Sequence, residues 1–162
     1  MNEPISLFVA GKPTALLLEV RDKGTDWLEA HLPPHVEVFY RLKDIKPSCF
    51  KLVLCVSPQV PYIEEVPSIC YVPRVLHIGI GLARQAGPTK KVVENILDSL
   101  KEYNILHQAI ASISTIDAKR DEPVVKSLKK KYNIHFYTAG ELATVDVPHL
   151  SLIHISEPTR LA

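Results

Sequence analysis

No apolar run in this 162-residue sequence approaches the roughly 20 residues that a membrane-spanning helix needs, and Met1-Asn2-Glu3-Pro4 lacks the basic start of a secretory signal. A cytoplasmic chain with no membrane partner is therefore expected. Charge of one sign is also scarce: nineteen Lys+Arg stand against eighteen Asp+Glu, a formal net charge of +1, so no chain-wide field draws in nucleic acid. Cysteine is sparse and odd in number. Cys49, Cys55 and Cys70 lack CxxC spacing and lie in or beside apolar runs, which argues for reduced, buried thiols rather than a disulfide frame. No Gly-x-Ser-x-Gly elbow is present, and neither a Cys/His nor a Ser/His/Asp arrangement can be defended. No pair of the seven histidines lies at ligand spacing on an expected helix; His77 and His135 fall inside expected buried strands, while His31 and His35 flank a double proline. They read as core or surface residues, so no metal site is expected.

What is present is enough apolar content, 46%, for one or two small globular domains. In the first 73 residues, Ser6 to Ala10, Thr14 to Val20, Val36 to Tyr40 and Phe50 to Val56 are short apolar or alternating runs between Gly and Pro breakers. This is the pattern of a small β-rich domain, with Trp27 to Leu32 as one short helix. Pro58, Pro61, Pro67 and Pro73 then punctuate a stretch expected to hold little regular structure, and a domain junction is placed near Pro73.

From Val75 the periodicity changes to alternating strand and helix. Val75 to Ile80, Ile110 to Ile116 and Ile134 to Tyr137 read as strands. Val92, Val93, Ile96, Leu97, Leu100 and Tyr103 recur at helical spacing behind Thr89 as N-cap; Asp121-Glu122-Pro123 opens a second helix, and Thr138-Ala139-Gly140-Glu141 has capping-box spacing for a third. The fold class is α/β: a β-rich domain over residues 1–73, then an α/β/α layered domain over 74–150 whose sheet is largely parallel or mixed.

Two strand-to-helix corners in the second domain carry the candidate chemistry. Gly79-Ile80-Gly81 ends a strand, where glycines let backbone approach a ligand and point amides at an anion. Ala83 and Arg84 stand where a third dinucleotide-binding glycine would be, and Gly87-Pro88-Thr89 lacks the phosphate-loop lysine. A tight structural turn and a ligand contact both remain open. At the second corner, Thr115 and Asp117 project to one face of an extended strand, and Lys119 and Glu122 follow, so four polar groups can converge. An ion pair with a helix cap, and a carboxylate that orients water beside a lysine that steadies an oxyanion, are the two readings.

The series Val75-Leu76-His77-Ile78-Gly79-Ile80-Gly81, a helix, Thr115 to Glu122, then Phe136 with Glu141-Leu142 resembles the C-terminal domain of the cobalt-precorrin-5A hydrolase family of anaerobic cobalamin biosynthesis. Phe8 to Thr25 resembles the middle domain of the same family. The resemblance implies hydrolytic opening of a δ-lactone on a cobalt-containing tetrapyrrole, with loss of a two-carbon fragment as acetaldehyde. It implies no cofactor of the protein's own, since the cobalt belongs to the substrate. Combined with the residues, it points to Asp117, Lys119 and Glu122 for catalysis and to Gly79, Gly81, Arg84 and Thr115 for substrate binding.

The chain also departs from the family pattern. Family members usually begin with a further domain bearing a His-Gly-Gly-Ala-Asn-like motif, which is absent here, so a fragment is expected. A cysteine commonly follows the glycines, where Leu82-Ala83-Arg84 stands. Residues 151–162 resemble a translated sequencing-adapter end and are expected to be a non-native tail. Two alternatives accompany the hydrolase reading. The second domain also resembles a stand-alone accessory protein of the aerobic route, which would bind a corrinoid without catalysis; and family members occur fused to a precorrin methyltransferase, for which this chain would be a structural module.

Overall fold

A computed structural model describes residues 3–61, 63, 65–83 and 87–146. The chain divides between Val75 and Leu76 into two compact units.

In the first unit the strands β1 (Thr14–Leu18), β2 (Val36–Phe39), β3 (Leu52–Val56) and β4 (Ser68–Tyr71) form one parallel sheet in the order β2-β1-β3-β4. The central strands Thr14-Ala15-Leu16-Leu17-Leu18 and Leu52-Val53-Leu54-Cys55-Val56 are continuously apolar after Thr14, as strands covered on both faces must be. Ala15, Leu17, Val53 and Cys55 pack on one face with Ile45 and Phe50; Leu16, Leu18 and Val56 pack on the other with Leu28 and Leu32.

Three expectations for this unit are corrected. Ser6 to Ala10 is not extended: α1 spans Glu3–Val9, with Pro4 in the first turn, where its missing N–H costs nothing. Gly11, at φ +68°, closes the helix, and the Lys12 amide donates to the Leu7 carbonyl at 3.1 Å. The proline-rich stretch does hold a strand, since Pro67 and Pro73 bracket Ser68–Tyr71 and remove no amide from within the strand that pairs with β3. The helix expected from Trp27 begins two residues earlier, as α2 (Thr25–Ala30), because the Asp22 carboxylate accepts the Gly24 and Thr25 amides at 2.9 and 3.2 Å.

The second unit holds β5 (Leu76–Gly79), α3 (Thr89–Glu102), β6 (Ile110–Ile116), α4 (Pro123–Lys129), β7 (Ile134–Tyr137) and α5 (Ala139–Ala143). Its sheet is parallel, in the order β5-β6-β7. Ile78, Ile80, Ile113 and Ile134 join Ile96 and Leu100 of α3 and Val124 and Leu128 of α4 in one core. The opposite face of the sheet carries His77 and Gly79 from β5, Ser112 and Ser114 from β6, and His135 and Tyr137 from β7, as the register dictates. His77 and His135 are therefore strand residues but exposed, not buried. Alternation puts them opposite the isoleucines that face the helices. Pro88, not Thr89, is the N-cap of α3, and its carbonyl accepts the Val92 amide at 3.1 Å. The capping box at α5 forms as its spacing predicts: the Glu141 amide donates to Thr138 Oγ1 at 3.2 Å and the Thr138 amide to Glu141 Oε2 at 2.7 Å.

Cys55 is buried and Cys70 half-buried, side by side across β3 and β4, but Cys49 is exposed because it ends the short 3-10 turn Pro47–Cys49. The expectation of buried thiols fails at that position. All three are free thiols.

Candidate functional site

The two corners meet in the second unit because β5 and β6 are parallel neighbours. Gly79 pairs with Ser114, and the Ile80 amide donates to the Ser114 carbonyl at 2.9 Å. The edge formed by the C-terminal ends of β5 and β6 is where parallel sheets present ligand-binding loops. Neither Gly79 nor Gly81 has a positive φ, and among the described residues a Cβ built on either meets nothing within 4 Å. A turn that needs a left-handed glycine is thus not present at either position. Arg84, the third residue expected at this edge, lies outside the described residues.

Of the four polar groups of the second corner, Lys119 and Glu122 bond to each other, while Thr115 and Asp117 take other partners. Thr115 is 4% exposed, and its hydroxyl donates to the Ile80 carbonyl at 3.1 Å, tying the two strand ends together. After Ile116 the chain leaves the extended conformation for a 3-10 turn, Asp117–Lys119, so the alternation that would have put Asp117 beside Thr115 ends there. Asp117 is paired with Arg120, whose Nη2 and Nε lie 2.6 and 2.8 Å from Oδ1. Arg120 also stacks over the Phe136 ring, 4.1 Å from its centroid, which fixes the guanidinium on β7. Lys119 Nζ reaches Glu122 Oε1 at 3.3 Å, with the lysine side chain 16% exposed. The corner therefore presents two ion pairs, one exposed and one sheltered. The Glu141 carboxyl stands close by and is held below its ordinary value, chiefly by the Thr138 amide, while the Asp117 charge acts in the opposite direction.

A further feature belongs to the first unit and is not among the sequence candidates. An open depression of about 480 Å³ is lined by Asp22, Lys23, Gly24, Tyr71, Val72 and Arg74, beyond the C-terminal ends of β1 and β4. Tyr71 donates to Asp22 Oδ2 at 2.9 Å, and this bond is the main reason that the Asp22 carboxyl sits below its usual value. Lys23-Gly24 is visible in the sequence as a turn, but only β4 turns it into one wall of a depression. Among the described residues no group of three or more His, Cys, Asp or Glu is placed to hold a metal ion, and no helix is long and apolar enough to cross a membrane.

Residues 76–156 match the family model described as Cobalamin synthesis G C-terminus, and residues 1–73 match the one described as Cobalamin biosynthesis central region. The chain belongs to the cobalamin synthesis G family. It carries the middle and C-terminal regions of that family in the expected order, and cobalamin biosynthesis is its process. The two matches meet at the junction between the compact units, and the C-terminal match takes in residues 151–156, part of the tail that lies outside the described residues. No curated protein and no solved structure matches the chain.

Proposed function

We propose that the chain serves the cobalt-precorrin-5A step of cobalamin biosynthesis, in which water opens the δ-lactone of the macrocycle and a two-carbon fragment leaves as acetaldehyde. The observation that carries this reading is the bareness of the Gly79–Gly81 edge. Among the described residues, glycine at these positions is required neither by a left-handed backbone nor by a neighbouring atom, and a flat macrocycle has use for a strand end that adds no side chain there. A polycarboxylate substrate also needs donors at its rim. The Gly79 and Gly81 backbone, Arg84 and Lys119 are the groups assigned that role, with Thr115 holding the edge in place through Ile80. In lactone opening, Lys119 would steady the oxyanion and Asp117 or Glu122 would orient the water, once substrate carboxylates displace Arg120 or Lys119 from them.

That displacement requirement favours one second reading. Each carboxylate of the corner is already in an ion pair, which suits a surface that binds a corrinoid without acting on it. The purified chain should be mixed with cobalt-precorrin-5A, with bound corrinoid and released acetaldehyde both measured. Acetaldehyde released by the wild type but not by Lys119→Ala supports catalysis by this corner. Binding without acetaldehyde leaves the binding reading and rejects the catalytic one; absence of both rejects the proposal.

A further inference from the structure

The open face of the second sheet holds two histidines that differ in one respect. On β7, His135 Nε2 lies 3.4 Å from Asn133 Nδ2. On β5, His77 is held at the other nitrogen: Nδ1 is 2.7 Å from Ser112 Oγ, across a register pair, and Ser112 is 4% exposed. Among the described residues nothing bonds His77 Nε2. In the tautomer in which Nδ1–H donates to Ser112 Oγ, Nε2 carries the lone pair and the ring orientation is set, the arrangement found at metal-ligating histidines. Side chains stand roughly perpendicular to a sheet, so Nε2 points away from the strands. Two residues further along the same face, Gly79 adds no side chain beside it, and among the described residues a Cβ there would meet nothing within 4 Å.

A single free imidazole is a poor metal site by itself. It is sufficient for a metal that arrives already held by four equatorial nitrogens and lacks only an axial ligand. We propose that His77 Nε2 is an axial ligand to the cobalt of the bound corrinoid, with Ser112 as its positioning residue. This inference rests on the corrinoid reading above and adds the atom that meets the metal. The step is a ligand exchange: the Nε2 lone pair displaces a water from cobalt, the proton stays on Nδ1 against Ser112 Oγ, and no electron is transferred. It also gives the open face a use, since a macrocycle seated on His77 lies over Gly79 and reaches the strand end at Gly81.

The probe is aquocobinamide, a cobalt corrinoid without a base of its own, added to the full chain. Retention on an ultrafiltration membrane reads binding, and the visible spectrum reads axial ligation. The wild type and His135→Ala should bind and shift the visible bands to those of an imidazole-ligated corrinoid. His77→Gln, which leaves Ser112 a hydrogen-bonding partner and preserves the far-UV circular dichroism, should lose the shift. Ser112→Ala should retain the shift but weaken binding by roughly ten- to a hundred-fold, the usual effect of removing such an orienting partner. Retention by the wild type without a shift, or a shift that survives His77→Gln, overturns the ligand assignment and leaves corrinoid binding standing. No retention at all overturns both.

Discussion

Thr115→Val distinguishes a residue that holds the edge from one that meets a ligand. The two side chains have the same shape, so the substitution opens no cavity; it removes one hydroxyl, which donates to the Ile80 carbonyl at 3.1 Å from a position 4% exposed. A neutral hydrogen bond contributes about 0.5–1.5 kcal/mol net, and a buried carbonyl left without its donor costs about 1–3 kcal/mol. A loss of about 1.5 kcal/mol is therefore expected. With a urea slope of about 1–2 kcal/mol/M for a unit of this size, the midpoint falls by about 1 M. Far-UV circular dichroism suits the assay, because the 14-residue α3 is the longest helix among the described residues and belongs to this unit. Two units can unfold in two transitions, and only the one that melts α3 should move. Ser114→Ala, on the half-buried open face, is the control and should stay within about 0.5 kcal/mol of wild type. An unchanged midpoint in Thr115→Val would refute the edge-holding role and return Thr115 to the ligand-contact list.

Three further outcomes are expected. Leu17→Ala removes a fully buried side chain between Ala15, Val53 and Phe50, and should destabilise the first unit by about 2–5 kcal/mol in the same assay, leaving the α3 transition in place. Alkylation followed by peptide mapping should label Cys49 first and Cys55 last, because burial pushes the Cys55 thiol up and the neighbouring Cys70 pushes it further; early labelling of Cys55 would contradict the packing of β3 against β4. Asp22, whose carboxyl is lowered first by Tyr71 and then by the Gly24 amide, contributes stability that is complete above its unfolded value of 3.8 and lost as pH falls through its lower folded value. Asp22→Asn should thus be less stable than wild type at neutral pH, with the difference shrinking in thermal melts taken below pH 3.8; a constant difference would refute this linkage.

Where the sequence was legible, local signals and tertiary context agreed. Ile110–Ile116 and Ile134–Tyr137 are strands over the expected spans, and the Thr138–Glu141 box needs only its own four residues. The first unit was harder because strand and helix signals overlap in short apolar runs. Ser6 to Ala10 has the composition of a strand, and the deciding cues are Pro4 at the start and Gly11 in the left-handed region at the end. β4 was hidden by its prolines, which flank the strand instead of interrupting it. At the site, the pairing of Asp117 with Arg120 depends on a 3-10 turn that no periodicity announces, whereas the proximity of Gly79 to Ser114 follows once β5 and β6 are parallel neighbours.

The contrast between the two sheets explains why the second one holds the candidate surface. Both are wholly parallel, and parallel strands are ordinarily covered on both faces and apolar throughout. β1 and β3 follow that rule, with apolar clusters on both faces. β5, β6 and β7 do not: Leu76-His77-Ile78-Gly79, Ser112-Ile113-Ser114 and Ile134-His135-Phe136 alternate, and the only buried cluster among their described residues lies toward α3 and α4. A sheet that had merely to be covered by another helix would carry isoleucine or valine at 77, 79 and 135. Histidine, glycine and histidine are there instead, a composition that favours contact with something polar, flat and able to accept a nitrogen ligand over burial against an apolar helix. Replacing His77 by valine should therefore leave the fold of the second unit intact while weakening corrinoid binding; a His77→Val variant that binds corrinoid as wild type does would mean that His77 has no part in recognition.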